Sequence, residues 1–209
     1  MKNETIVHVI DDDAAVRDSI AFLLDTAGLQ ARTYETAVAF LAQGERLPGC
    51  VVTDVRMPEM SGIDLTRRLR DSGSREPVII ITGHADVPLA IEAMHAGVAD
   101  FIEKPFDDSL LLNAIQRAVE RAEETASVEA ERREIGARFN ALSGRERDVL
   151  DGLVQGRANK VIAFDLDISP RTVEVYRANL MSKMRAGSLS ELVRMFLLLH
   201  SEKGHGEIG

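Results

Sequence analysis

The sequence has 209 residues, 45% of them hydrophobic and 28% charged, with a formal net charge of −9. That length suits two modest domains, and no apolar run approaches the roughly 18 residues of a membrane span. A single cysteine, Cys50, excludes an internal disulfide, and the polar start Met1-Lys2-Asn3-Glu4 lacks a signal-peptide core, so a cytoplasmic protein is expected. The acidity is uneven. Residues 1–123 carry 12 Lys and Arg against 21 Asp and Glu, whereas residues 141–209 carry 10 against 9. Within the tail, Arg171, Arg177, Lys183 and Arg185 face Glu174 alone over residues 169–185. That one segment is basic enough to approach phosphates.

Five short β-type runs come first: Thr5–Ile10, Gln30–Tyr34, Cys50–Thr53, Val78–Thr82 and Ala99–Ile102. Several are apolar without strict alternation, as parallel strands covered on both faces are. Helical segments lie between them. Asp13 can cap Ala14–Ala27, which stops at Gly28, and Ser61 can cap Gly62–Arg70. Strands alternating with helices predict a doubly wound α/β sheet of flavodoxin type over residues 1–123.

From Asp107 to about Arg138 the pattern is one long helical stretch. Leu111, Ile115 and Val119 give its first part a core-facing stripe, but beyond Ala122 it is nearly all polar. Residues 124–140 therefore read as a linker, either a solvated helix or a fraying segment. Residues 141–209 form an all-α domain with four helical segments: Gly144–Gln155, Asn159–Leu166, Pro170–Arg185 and Ser188–Leu199. Ser143 and Glu146 have capping-box spacing, and Ser169-Pro170 places an N-cap before a proline in the first helical position.

In doubly wound sheets, function gathers at the carboxyl ends of the strands. Here those ends carry Asp11-Asp12-Asp13, Asp54, Thr82 and Lys104. Two carboxylates about 4 Å apart repel by roughly 4 kcal/mol at an effective dielectric of 20, a cost tolerable only with a cation among them. Oxygen-only ligation with an open position suits Mg²⁺, or the similar Mn²⁺, which shares its shell with a phosphate. The metal would neutralise an incoming phosphoryl group and leave Asp54, alone at the sheet centre, free to attack phosphorus. Lys104 adds positive charge for the phosphoryl oxygens and Thr82 a hydrogen bond. Taken singly, each has a plainer reading: Asp11–Asp13 as caps, Asp54 as a turn former, Lys104 as a solvated lysine. Their conjunction at separate strand ends carries the argument.

Asp11-Asp12, Asp54 followed by Val-Arg-Met-Pro, Ile81-Thr-Gly-His84 and Asp100-Phe-Ile-Glu-Lys104-Pro105 resemble the response-regulator receiver family over residues 4–122. The resemblance implies that Asp54 accepts phosphate from a histidine kinase. It implies that Asp11, Asp12, Asp54 and the backbone carbonyl of Arg56 hold the metal, and that Lys104-Pro105 is cis. Thr82 and Phe101 match the family's hydroxyl and aromatic switch pair. Asp13 is one acid beyond the usual pair, and a helix cap is the preferred reading. The face of Val87, Ala90, Ile91, Met94 and His95 is expected to form a symmetric dimer upon phosphorylation. The resemblance implies a signalling role, with self-phosphorylation and dephosphorylation of Asp54 as the expected chemistry and no enzyme activity on outside substrates.

In the tail, Ile162, Ala163 and Leu166 give one helix an apolar face, while Ile168, Val173 and Leu180 bury the next. The second helix is left exposing Arg171, Thr172, Glu174, Val175, Arg177 and Ala178. A helix with this surface can enter a major groove about 12 Å wide. Residues 140–200 resemble the LuxR-type helix-turn-helix, which implies double-stranded DNA as partner, the second helix as reader, and Lys160 and Lys183 on phosphates. Tyr176 stands where that family commonly has histidine. A small helical dimerisation bundle is the rival reading, giving a phosphate-sink or adaptor protein. A phosphohydrolase using Asp54 ranks last, because position 56 is arginine rather than an acid. Receiver plus LuxR-type tail resembles the NarL/FixJ class, and Thr82–Pro88, Asp100–Phe106, Asn159-Lys160 and Asp167–Val175 resemble its FixJ branch. That branch implies a FixL-like, haem-containing oxygen-sensing kinase and nitrogen-fixation or microaerobic genes.

Overall fold

The computed structural model describes residues 5–43, 49–84 and 86–200. The predicted domain ends at 1–4 and 201–209, and Ala85 of the Thr82–Pro88 segment, lie outside the described residues. The chain divides into two compact units between Thr125 and Ala126. Among the described residues, no helix is long and apolar enough to cross a membrane.

The first unit runs β1 (Ile6–Ile10), α1 (Ala14–Thr26), β2 (Gln30–Tyr34), α2 (Ala37–Leu41), β3 (Gly49–Asp54), α3 (Gly62–Asp71), β4 (Val78–Thr82), α4 (Val87–Ala96), β5 (Asp100–Glu103) and the start of α5 (Asp108–Asn140). All strand pairs are parallel, in the order β2-β1-β3-β4-β5. This is the predicted doubly wound sheet. The three central strands are buried almost throughout, and Ile79, Ile80 and Ile81 have no exposed surface. Full burial of each such side chain contributes about 2 kcal/mol, which is why these strands read as continuous apolar runs. One sheet face packs Leu111, Ala114 and Ile115 of α5 with Ile20 and Leu24 of α1. The other packs Leu65 and Leu69 of α3, with α4 covering Ile80 through Ala93 and Ala96.

The caps fall where the spacing puts them. Asp13 accepts a hydrogen bond from the Ala15 N–H at 2.8 Å, which makes it a helix cap as expected. Ser61 accepts from the Asp64 N–H, and α4 ends at Gly97, whose left-handed φ of 86° favours glycine. Cys50 is a buried thiol that burial pushes up to about 12.

On the α2 side, His8 is fully buried, with Nδ1 3.2 Å from the Tyr34 hydroxyl and its ring against Phe40. Burial, then the Arg32 charge, pushes its pKa down to about 4. The unfolded chain therefore binds a proton that the native state refuses. The stability that neutral His8 contributes is present above about pH 6.5 and is lost as pH falls towards 4. His8→Leu is expected to flatten this acid limb by about 3 kcal/mol relative to the unsubstituted chain. Urea denaturation near pH 7 and near pH 4.5 checks it; parallel losses in both proteins would refute it.

The second unit contains the end of α5 with α6 (Gly144–Val154), α7 (Asn159–Asp165), α8 (Pro170–Met184) and α9 (Leu189–His200). Its core joins Val149, Leu150, Ile162, Ala163, Val173, Leu180 and Leu192. The capping box forms: Ser143 accepts from the Glu146 N–H, and Glu146 accepts from the Ser143 N–H. Residues 124–140 are helical rather than fraying, but they do not remain a solvated linker to their end. Ile135 is 2% exposed within the second core and Phe139 packs on it. Ile135, Phe139 and Leu142 are spaced four and three apart, a one-sided stripe too sparse to show against the surrounding charge.

Candidate functional site

The carboxyl ends of β1, β3 and β5 bring three predicted residues together. Lys104 Nζ donates to Asp11 Oδ2 at 2.8 Å and to Asp54 Oδ1 at 2.9 Å. The second oxygen of each acid is held by backbone: Asp11 Oδ1 accepts from the Asp13 N–H and Asp54 Oδ2 from the Arg56 N–H. Asp11 is almost wholly buried and Asp54 nearly so. Burial works against the Lys104 ammonium, but hydrogen bonds to both carboxylates and their charges outweigh it and hold its pKa above the ordinary value. The strands dictate this convergence: β1 and β3 are neighbours, and Ile10 of β1 pairs with Thr53 beside Asp54. Lys104 follows β5 directly, tied by its N–H to the Thr82 carbonyl. The Lys104-Pro105 peptide is cis.

Asp12 lies next to this knot with an exposed side chain. Among the described residues, no three acidic, histidine or cysteine side chains gather closely enough to hold a metal by themselves. Asp11 and Asp54 nevertheless lie within the span of one ammonium, and all their donor atoms are oxygen. That set fits a Mg²⁺-type ion, which takes one or two carboxylates and completes its shell with water and phosphate.

Thr82 is buried, and its Oγ1 lies 3.3 Å from both the N–H and the carbonyl of His84. Phe101 is half-buried against Ile80, Ala93 and Ala96. Beside them, α4 turns its apolar side outwards: Val87 is 72% exposed, Ile91 51% and Met94 58%. His95 is exposed and Ala90 half-buried. What holds α4 to the sheet is small, chiefly Ala93 and Ala96.

In the second unit, α7, a short turn and α8 form the helix-turn-helix. The Ser169 hydroxyl caps α8 by accepting from the Thr172 N–H at 3.0 Å. Arg171, Glu174, Val175 and Ala178 are exposed on one side of α8, with Thr172 and Arg177 half-buried beside them. Lys160 is exposed on α7. Lys183 is placed differently from the other basic residues. Its Nζ donates to Glu146 Oε2 at 2.7 Å, and Glu146 is only 3% exposed. The Lys183 hydrogen bond, then the Ser143 N–H, holds the Glu146 carboxyl below its usual range. Capping-box spacing identified Glu146 as a helix cap, but nothing in the sequence pairs it with a lysine 37 residues away. The Arg56 N–H on Asp54 was equally hidden, because a backbone donor leaves no mark on residue type.

Residues 7–116 match the model of the response regulator receiver domain, and residues 140–196 that of the luxR family of bacterial regulatory proteins. The chain is 57% identical to the transcriptional regulatory protein FixJ of Azorhizobium caulinodans over 193 residues, covering 92% of each. It is 52% identical to FixJ of Rhizobium meliloti, covering 91% of this chain and 94% of that one. Among solved structures, full-length FixJ from B. japonicum aligns with a TM-score of 0.60 at 52% identity, covering 95% of this chain and 98% of that one. The response regulator StyR aligns at 0.79 with 37% identity, covering 92% and 98%.

Proposed function

The chain belongs to the response regulators that join a receiver to a LuxR-type DNA-binding domain, and from that premise we propose that phosphorylation of Asp54 by a histidine kinase switches its control of transcription. The observation that carries this reading is the Asp11–Lys104–Asp54 knot at the sheet's carboxyl edge. Asp54 Oδ attacks the phosphorus of the kinase phosphohistidine, the P–N bond breaks, and the imidazole takes up a proton as an acyl phosphate forms. Lys104 stabilises the new phosphoryl oxygens. Asp11, Asp12, Asp54 and the Arg56 carbonyl would hold Mg²⁺ or Mn²⁺, which neutralises charge on the transferring group when bound. Thr82 then leaves His84 for the phosphoryl group, Phe101 turns inward, and the exposed α4 face pairs with a second copy. A symmetric dimer presents two α8 helices to a two-fold DNA site.

The resemblance to FixJ proteins favours a FixL-like oxygen-sensing kinase and genes of nitrogen fixation or microaerobic growth. It also favours a cytoplasmic regulator without enzyme activity beyond its own phosphorylation cycle. Acetyl phosphate with Mg²⁺ is expected to add one phosphoryl group by intact mass, and Asp54→Asn to abolish both that gain and any phosphate-dependent rise in DNA affinity. Incorporation that persists in Asp54→Asn would show that another residue is the acceptor.

A further inference from the structure

The reading face of α8 lies in its first nine residues, while its far end is closed partly by its own backbone and partly by side chains of other helices. An α-helix leaves its last carbonyls without intrahelical partners. At the end of α8, Arg185 adopts φ 56°, and its N–H turns back to Met181 and Ser182. The Ala186 N–H also returns to Met181. The carbonyl of Met184, the last residue of the helix, is taken by a side chain from elsewhere: Arg138 Nη1 of α5 donates to it at 3.3 Å. The guanidinium also stands at the negative end of the helix dipole. Arg138 is only 20% exposed, and its other nitrogen is engaged by Glu134.

Two neighbouring contacts repeat this arrangement. Arg132 of α5 donates to the Leu199 carbonyl at the end of α9, and Arg147 of α6 donates to the Asn140 carbonyl at the end of α5. Arg147 also lies over the Phe139 ring. Three helix ends of the unit are thus closed by an arginine borrowed from another helix. With Ile135 buried, this makes the tail of α5 part of the unit that carries α8.

We propose that Arg138 is a positioning residue for DNA reading: by gripping the Met184 carbonyl it sets the tilt of α8 and so the aim of Arg171, Glu174, Val175 and Ala178. This rests on α8 being the helix that reads DNA. A helix of this length is roughly 22 Å long, so a small pivot at its C-terminal end displaces the side chains near its start. Because the guanidinium is engaged by protein groups, its role is to orient contacts made by others. Base-edge contacts tolerate little misplacement, whereas phosphate contacts made by flexible basic side chains tolerate more.

The test uses the full chain treated with acetyl phosphate. One duplex is recovered from a random library by selection with the unsubstituted protein, and a shuffled duplex of equal length serves as comparator. Arg138→Ala is expected to bind the selected duplex about tenfold more weakly, to bind the shuffled duplex unchanged, and to keep the slope of log K against log salt. Arg138→Lys, which can still donate to the carbonyl, is expected to recover most of the selectivity. Unchanged binding of the selected duplex overturns the proposal. So does an equal loss on both duplexes: with a salt slope shallower by about one, Arg138 is itself a phosphate contact, and with an unchanged slope and a lowered melting temperature, only the folded fraction has fallen. If the unsubstituted protein selects no sequence, the DNA-reading premise fails first and the proposal with it. Selection by the unsubstituted protein with an indifferent Arg138→Ala removes the proposal alone.

Discussion

Replacing Lys104 by methionine is expected to destabilise the protein by about 3 kcal/mol in metal-free buffer, and added Mg²⁺ is expected to return most of that loss. Methionine keeps the length and apolar stem of lysine but leaves Asp11 and Asp54 facing each other without the ammonium that holds both at 2.8 and 2.9 Å. Neither acid can turn easily to water, because Asp11 is 2% exposed and each has its second oxygen fixed by a backbone N–H. The remedy left to the pair is a divalent cation. The stability gap between variant and parent should therefore largely close at neutral pH when Mg²⁺ is present. Urea denaturation with and without Mg²⁺ reads both the gap and its closure. A variant as stable as the parent in chelator would mean that the two carboxylates need no compensation, and the case for a cation site would go with it.

The sheet and its acidic edge were legible because both rest on strong local signals. Val78–Thr82 is a run of fully buried β-branched residues, and its limits agree with the sequence reading. Asp13, Ser61, Ser143 and Ser169 all cap the helices assigned to them. Strand ends in a parallel sheet point the same way, so Asp11, Asp54 and Lys104 could be expected to meet once the strands were placed. Less legible was whatever depends on a partner distant in the chain. The five-residue α2 is too short to show a helical period. His8 reads as an ordinary strand residue until Tyr34 and Phe40 close over it. Lys183 reads as a free basic residue until Glu146 is found beneath it. The tail of α5 looks like a solvated linker because only Ile135 and Phe139 mark its buried side, while Arg132 and Arg138, which bind helix ends, carry the same charge as arginines that face water.

Gly62→Ala is expected to lower stability by about 3 kcal/mol and to slow phosphotransfer to Asp54 by about a hundredfold. Gly62 opens α3 directly after the Ser61 cap, and its N–H donates to the Val55 carbonyl at 3.0 Å. A Cβ there would lie 2.2 Å from the Asp54 carbonyl oxygen and 3.0 Å from Thr53 Cγ2. The obstacle is backbone, so the strain cannot be relieved by a rotamer change; either α3 lifts from the sheet or the Asp54 peptide moves. Movement at that peptide also displaces the carboxylate from Lys104 and from the Arg56 N–H, which is why the chemistry should suffer along with the fold. The chain contains its own control. Gly144 likewise follows a serine cap and opens α6, but a Cβ there meets nothing within 4 Å. Alanine has the better helix propensity, so Gly144→Ala should leave stability unchanged or slightly raised and acyl phosphate formation unaffected. Urea denaturation and the rate of acetyl-phosphate labelling separate the two. Equal behaviour of both variants would mean that the Ser-Gly step serves only to start a helix, and that the Asp54 carboxylate is not aimed by the close approach of α3.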